Sequence, residues 1–166
     1  MRYVLKQDLF AWGEDFDIFD EQGQEVYFVD GAGIALRNQL SFQDMQKREL
    51  AYIAQTTFSW GTEYTITQGG KLVAKVSHRT LVESRCCFFI DVPGPDDLCA
   101  DGDFYNHNYA FKRGEDIVAR STKEPHSQGF GVDIPTGEDP VLILSSAIVI
   151  DLVTRDSGGG RRTLFN

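Results

Sequence analysis

A closed antiparallel β-barrel wrapped around one buried C-terminal helix is the fold this sequence predicts, on three observations. Near the C-terminus, Val141 to Val153 is apolar except at Ser145, Ser146 and Asp151. Upstream, short segments of alternating apolar and polar residues follow one another between glycine and proline turns. Some of those segments also repeat one another. With 166 residues and 42% hydrophobic content, the chain suits one domain with a sizeable core.

The apolar run constrains the rest. As a helix it would rise about 20 Å at about 1.5 Å per residue, well short of the roughly 30 Å hydrocarbon core of a bilayer. No transmembrane span is expected. In the preceding "TGEDP", Asp139 can accept hydrogen bonds from free backbone N–H groups, and Pro140 takes the first helical position with its φ already set. The β-branched residues Val141, Ile143, Ile148, Val149, Ile150 and Val153 pull the other way, so one long or two short core strands is the alternative. Length favours the helix. Because apolar residues surround it on every side, such a helix must be covered all round.

The covering is predicted from "QEVYFV", "ELAYIAQ", "YTITQ", "KLVAKVS", "CCFFIDV", "NYAFKR" and "DIVARS", read as strands, with turns at "DEQGQ", "TQGGK", "PGPDD" and "KRGED". Two stretches share the pattern F-x-W-G-x-x-[F/Y]-x-I: Phe10, Trp12, Phe16 and Ile18 align with Phe58, Trp60, Tyr64 and Ile66. A fainter third copy starts at Phe104 and keeps the aromatic strand and a turn at Gly114, without the tryptophan. Trp12 and Trp60 are therefore read as barrel packing in equivalent places. A closed sheet removes edge strands and lines the helix completely; a two-layer α+β sheet, the alternative, would leave one side of it wet.

A formal net charge of −9 argues against gripping a nucleic-acid backbone, which needs a basic face. The three cysteines, Cys86, Cys87 and Cys99, are read as reduced thiols of a cytoplasmic protein, and the N-terminal "MRYVLKQDLFAWGEDFD" carries no signal-peptide pattern. His78, His107 and His126 are scattered, in no zinc-ligand spacing. The acidic stretch "DVPGPDDLCADGDF" lacks EF-hand spacing and reads as a solvated turn. No nucleophile elbow is present, and the glycines at 158–160 follow the helix instead of opening one, so they cannot cradle a phosphate. No catalytic residue, metal or cofactor is assigned.

The stretches "LFAWGEDFDIFDEQGQEVYFVDG", "LSFQDMQKRELAYI", "FIDVPGPDDL" and "FGVDIPTGEDPVLILSSAIVIDLV" resemble, in order, the LURP-one-related family of the Tubby C-terminal-like superfamily. The resemblance spans about residues 1 to 156 and implies a twelve-stranded barrel around a central hydrophobic C-terminal helix, with 157–166 as a flexible tail. It also implies kinship with Tubby and the phospholipid scramblases, in which membrane-lipid association is prominent. The basic side chains of Tubby's phosphoinositide pocket have no matching motif here. The cations left as a candidate anion or lipid patch are Lys75 with Arg79 and Lys112 with Arg113, against the plainer reading of solvated strand charges. The expectation is thus a non-enzymatic binding or scaffold module for a protein partner, cytoplasmic, with a peripheral membrane position as the other option. Phospholipid-headgroup binding is the alternative, and an enzyme with an unrecognised site the second.

Overall fold

A computed structural model describes residues 1–7, 15–31, 39–58, 61–78, 88–125 and 129–159. Its strands are β1 (Arg2–Gln7), β2 (Phe16–Phe19), β3 (Glu25–Asp30), β4 (Gln39–Asp44), β5 (Glu49–Phe58) and β6 (Gly61–Gln68). They continue as β7 (Lys71–His78), β8 (Phe88–Asp91), β9 (Leu98–Asp103), β10 (Asn108–Arg113), β11 (Asp116–Lys123) and β12 (Phe130–Asp133), and one helix follows, α1 (Pro140–Gly159). Each strand pairs antiparallel with its neighbour in sequence, and β1 closes the barrel on β12, with Arg2 opposite Asp133 and Leu5 opposite Phe130.

The helix starts as its sequence predicts. Asp139 Oδ1 accepts from the backbone N–H groups of Val141, at 2.9 Å, and Leu142, at 3.2 Å, so two of the helix's free donors are satisfied. Residues 143–152 are then buried without a break, about 15 Å of helix sheathed on every face. Inward side chains of the strands supply the sheath, among them Leu5, Ile18, Val29, Phe42, Ile53, Ile66, Val76, Ile90, Phe111 and Val132. The helix lies off-centre, nearest β5, β6 and β7, where Ala51 and Ala74 are buried. The opposite wall is filled by Tyr3, Phe16, Tyr109, Phe111 and Phe130.

The sequence repeat maps onto the barrel's geometry. The three aligned segments fall on β2, β6 and β10, four strands apart in a barrel of twelve. Phe16 and Ile18, Tyr64 and Ile66, and Tyr109 and Phe111 all point into the core. In each copy the strand register slips just after the second of these residues, between Ile18 and Phe19, Ile66 and Thr67, and Phe111 and Lys112. A bulge at that point sharpens local twist, which helps a sheet curl closed. Trp12 and Trp60 themselves lie outside the described residues.

Three expectations are corrected. The acidic stretch read as one solvated turn contains a strand, β9, whose Leu98 and Ala100 are buried. Gly102 allows it: its φ is +142°, and a Cβ there would lie 2.6 Å from Tyr109 Cα on the neighbouring strand. "DGD" therefore marks close strand approach instead of a loop. The helix also runs past the expected boundary at residue 156 to Gly159, with Ser157 Oγ donating back to the Val153 carbonyl at 2.8 Å. Finally, Cys99 is disulfide-bonded, with its partner outside the described residues, so the three cysteines are not all reduced.

At the barrel's seam, the Arg2 guanidinium reaches across β12 to Glu124 (Nε to Oε1, 3.2 Å), Asp133 (2.6 Å) and Thr122 (2.9 Å). Gly131 makes this possible, because a Cβ there would lie 2.5 Å from Arg2 Cζ.

The sheathed helix yields a direct test. Ile148 is fully buried, and Ile148→Asp combines a lost core contact with an unpaired buried charge, together several kcal/mol against a total stability of about 5–15 kcal/mol. The variant is expected to be unfolded or aggregated by circular dichroism and thermal melting, as is a chain truncated before Asp139. A soluble Ile148→Asp protein with near-native melting would contradict the sheathed helix.

Candidate functional site

Three of the four cations that the sequence singles out for anion binding, Lys75, Lys112 and Arg113, are engaged by carboxylates. Lys75 Nζ on β7 lies 3.9 Å from Glu63 of β6. Lys112 Nζ on β10 donates to Asp101 of β9 at 3.0 Å. Arg113 donates through both Nη atoms to Glu138, at 2.8 and 2.9 Å, and its Nε lies 3.9 Å from Asp96. Arg79 lies outside the described residues. Lys75 and Lys112 are also three strands apart on the barrel, roughly 14 Å at the usual strand spacing. They form no common patch.

Arg113 has a structural task instead. Glu138 immediately precedes the capping Asp139, so the two-pronged pair clamps the β10–β11 hairpin to the segment that launches α1. The hydrogen bond from Arg113 holds Glu138 below the ordinary carboxylate range, against a smaller opposing effect of burial.

A second polar cluster lies at the opposite end of the barrel, around the last turns of α1. Asp151 is 7% exposed. Arg155, one turn later, donates to Asp151 Oδ2 and, through its other Nη, to Gln7 of β1. The turn joining β9 to β10 brings His107 Nε2 to 3.7 Å from Asp151 Oδ1. His107 has φ +52°, and its ring stacks on Phe130 at 4.4 Å and 4°. Burial pushes Asp151 above the usual carboxylate range, with Arg155 and His107 opposing; burial pushes His107 below the usual imidazole range, with Asp151 opposing. Nearby, Tyr109 Oη and Ser121 Oγ, cross-strand partners on β10 and β11, are buried without a well-formed hydrogen bond. Sequence reading missed this cluster, although one signal was present: a lone aspartate in a sheathed apolar run needs a partner, and arginine stands at i+4.

A small hollow lined by His78, Phe88, Phe104 and Val153, among others, lies beside the last turns of α1, and two open grooves lie on the outer wall. One of about 520 Å³ is lined by Arg2, Lys6, Phe19, Glu21 and Glu124, among others. Another of about 330 Å³ brings Arg120, which makes no ion pair among the described residues, beside the exposed Met1 and Ile117. Among the described residues no three His, Cys, Asp or Glu side chains are grouped to hold a metal. Likewise, no described helix is long and apolar enough to cross a membrane.

The clamp is testable through pH. A carboxylate whose folded pKa is depressed contributes stability that is fully present above its unfolded value and is lost as pH falls through its folded value. Arg113 is 36% exposed at its side chain, so screening leaves the pair worth about 0.5–1 kcal/mol. Glu138→Gln is expected to lower the melting temperature by about 1–4 °C at neutral pH. The gap from wild type should close as pH falls below the ordinary carboxylate range; a gap that persists there would show that Glu138 acts through something other than its charge.

Comparison with known proteins agrees with this architecture. The LURP-one-related family model matches residues 1–151. The chain is similar to the Bacillus subtilis (strain 168) protein called Uncharacterized protein YxjI, with 28% identity over 151 residues, covering 90% of this chain and 91% of the relative. It is also similar in fold to the X-ray structure of an Arabidopsis thaliana protein, AT5G01750, with a TM-score of 0.69 at 15% identity, over 93% of this chain and 92% of the other. The twelve-stranded closed barrel, its sheathed C-terminal helix and this match over most of the chain place the protein in the LURP-one-related family.

Proposed function

We propose that this protein is a non-catalytic binding or scaffold module that acts through the outer surface of its barrel on a protein partner. The observation that carries the proposal is the filled interior. A barrel of twelve strands could enclose a ligand, but here the space is taken by ten consecutive buried residues of its own helix. What is left for recognition is the outer wall and the ends, and the wall's grooves are shallow and mixed in charge. Of the cations first considered for anion binding, Lys75, Lys112 and Arg113 each answer to a carboxylate, so recognition through them would first have to break an ion pair.

A second reading, phospholipid-headgroup binding, is favoured by one feature. Arg120 sits in a groove with exposed Met1 and Ile117, a cation flanked by apolar side chains of the kind that suits an interface with lipid. Against it stands the net charge of −9, which repels anionic leaflets at long range.

One paired experiment separates the two. The intact chain is used for affinity capture at physiological salt and for cosedimentation with phosphatidylcholine vesicles, alone or with phosphatidylserine or a phosphoinositide. The expected result is a protein captured stoichiometrically and competed away by excess untagged chain, without vesicle binding. Salt-sensitive vesicle binding that Arg120→Glu abolishes would replace the first reading with the second. The absence of both kinds of binding would reopen an enzymatic role.

A further inference from the structure

The groove that holds Arg120 is a notch built by the topology of the wall. β12 pairs with β11 only as far as Asp133, opposite Arg120, and the chain then stays with β1, where the Ile134 N–H donates to the Met1 carbonyl at 2.9 Å. The wall parts there. Ile117, Val118 and Ala119 of β11 keep β10 on one side, and on the other they border the 330 Å³ of space that Met1, Ile134 and Pro135 close off. Its floor is apolar: Val118, which the β10–β11 bulge leaves without a cross-strand partner, is buried, and so is Ala119. The rim carries two exposed apolar side chains, Met1 at 63% and Ile117 at 43%.

One cation is left over at this notch. Asp133 stands opposite both Arg2 and Arg120 in the strand register, and it goes to Arg2, whose Nη1 donates to it at 2.6 Å. Arg120 stays exposed and makes no ion pair among the described residues. A guanidinium offers a planar fork of donors that fits one carboxylate. The carboxylates of Glu115 and Asp116, exposed just before Ile117, and of Asp133 surround it with negative charge, which opposes a leaflet of many anions and leaves room for a single one.

We propose that this notch is where the protein partner docks, and that the partner presents a peptide segment in which a large apolar side chain stands close to a carboxylate. The apolar side chain fills the space between Met1, Ile117 and Pro135, and the carboxylate pairs with Arg120. An apolar anchor in a pocket with one polar group beside it to fix orientation is the usual economy of a small recognition site. The inference rests on the reading of the chain as a protein-binding module, and adds the surface and the chemistry of what it takes.

The test pans a phage-displayed library of random linear peptides on the intact chain and measures the selected peptides, synthesised, by fluorescence anisotropy. Selected peptides are expected to share an aspartate or glutamate beside a large apolar residue. Arg120→Glu should weaken them about tenfold or more, as should amidation of the peptide's carboxylate, and the two losses should not add, because each breaks the same pair. Ile117→Ser should weaken binding as well. Arg120 and Ile117 are exposed, so both variants are expected to melt like the wild type. Selected peptides indifferent to Arg120→Glu and Ile117→Ser would overturn the notch while leaving a protein-binding outer wall in place. Selection of no peptide at all would also overturn it, and the stoichiometric capture described above then decides the broader reading by itself. Vesicle binding that Arg120→Glu abolishes would give the notch to lipid and overturn both.

Discussion

The structure depends on one constraint: a helix with apolar side chains on every face has to be enclosed. From Ile143 to Leu152 every residue is buried. A single sheet packed on one side would leave several of these side chains wet, at about 25 cal/mol for each Å² of apolar surface. Closure of the sheet follows, and with it the alternation of every strand, the small residues where the helix leans on β5 and β7, and the aromatic filling of the far wall. The polar groups on the helix are accommodated locally: Ser146 Oγ donates to the Leu142 carbonyl at 2.9 Å, and Asp151 lies near the helix's end, where cations can reach it.

Closing twelve strands around a cylinder about one helix wide requires strong, evenly distributed twist. The repeated hairpins supply it. Bulges at matching positions in the β2–β3, β6–β7 and β10–β11 pairs are spaced by thirds of the barrel, and a further bulge in β4–β5, between Phe42 and Gln43, adds to them. The aromatic or aliphatic residue just before each of the three repeated bulges points inward, so one local pattern provides both curvature and core. The last seam, between β1 and β12, is secured by backbone pairing and by Arg2 lying flat over Gly131.

Charge is organised around the same frame. In a chain with 25 acidic and 16 basic residues, cations placed on strands and turns meet carboxylates readily. Arg113 with Glu138 fixes one end of the helix, and Arg155 with Asp151 the other. The first pair lies at a partly exposed rim and contributes little to stability, whereas the second surrounds a carboxylate that burial makes unfavourable to ionise.

The sequence by itself determined the barrel, the helix and its starting point, and most of the hairpins, because these follow from local chemistry: periodicity two in the strands, an aspartate–proline start, glycines in turns. The repeat already carried the spacing of the bulges. Short strands such as β1, β4, β9 and β12 were not legible, since four to six residues are too few to establish a period, and β9 and β12 each carry a glycine as well, until a neighbouring strand is there to pair with them. The fate of the charges was decided by tertiary structure alone. Whether Lys112 is free or bound to Asp101 depends on strand register, and whether His107 faces Asp151 depends on a turn 44 positions away in sequence meeting the helix's last turns. Electrostatic partnership is a matter of distance in space, and a linear sequence contains that distance only after the chain has closed on itself.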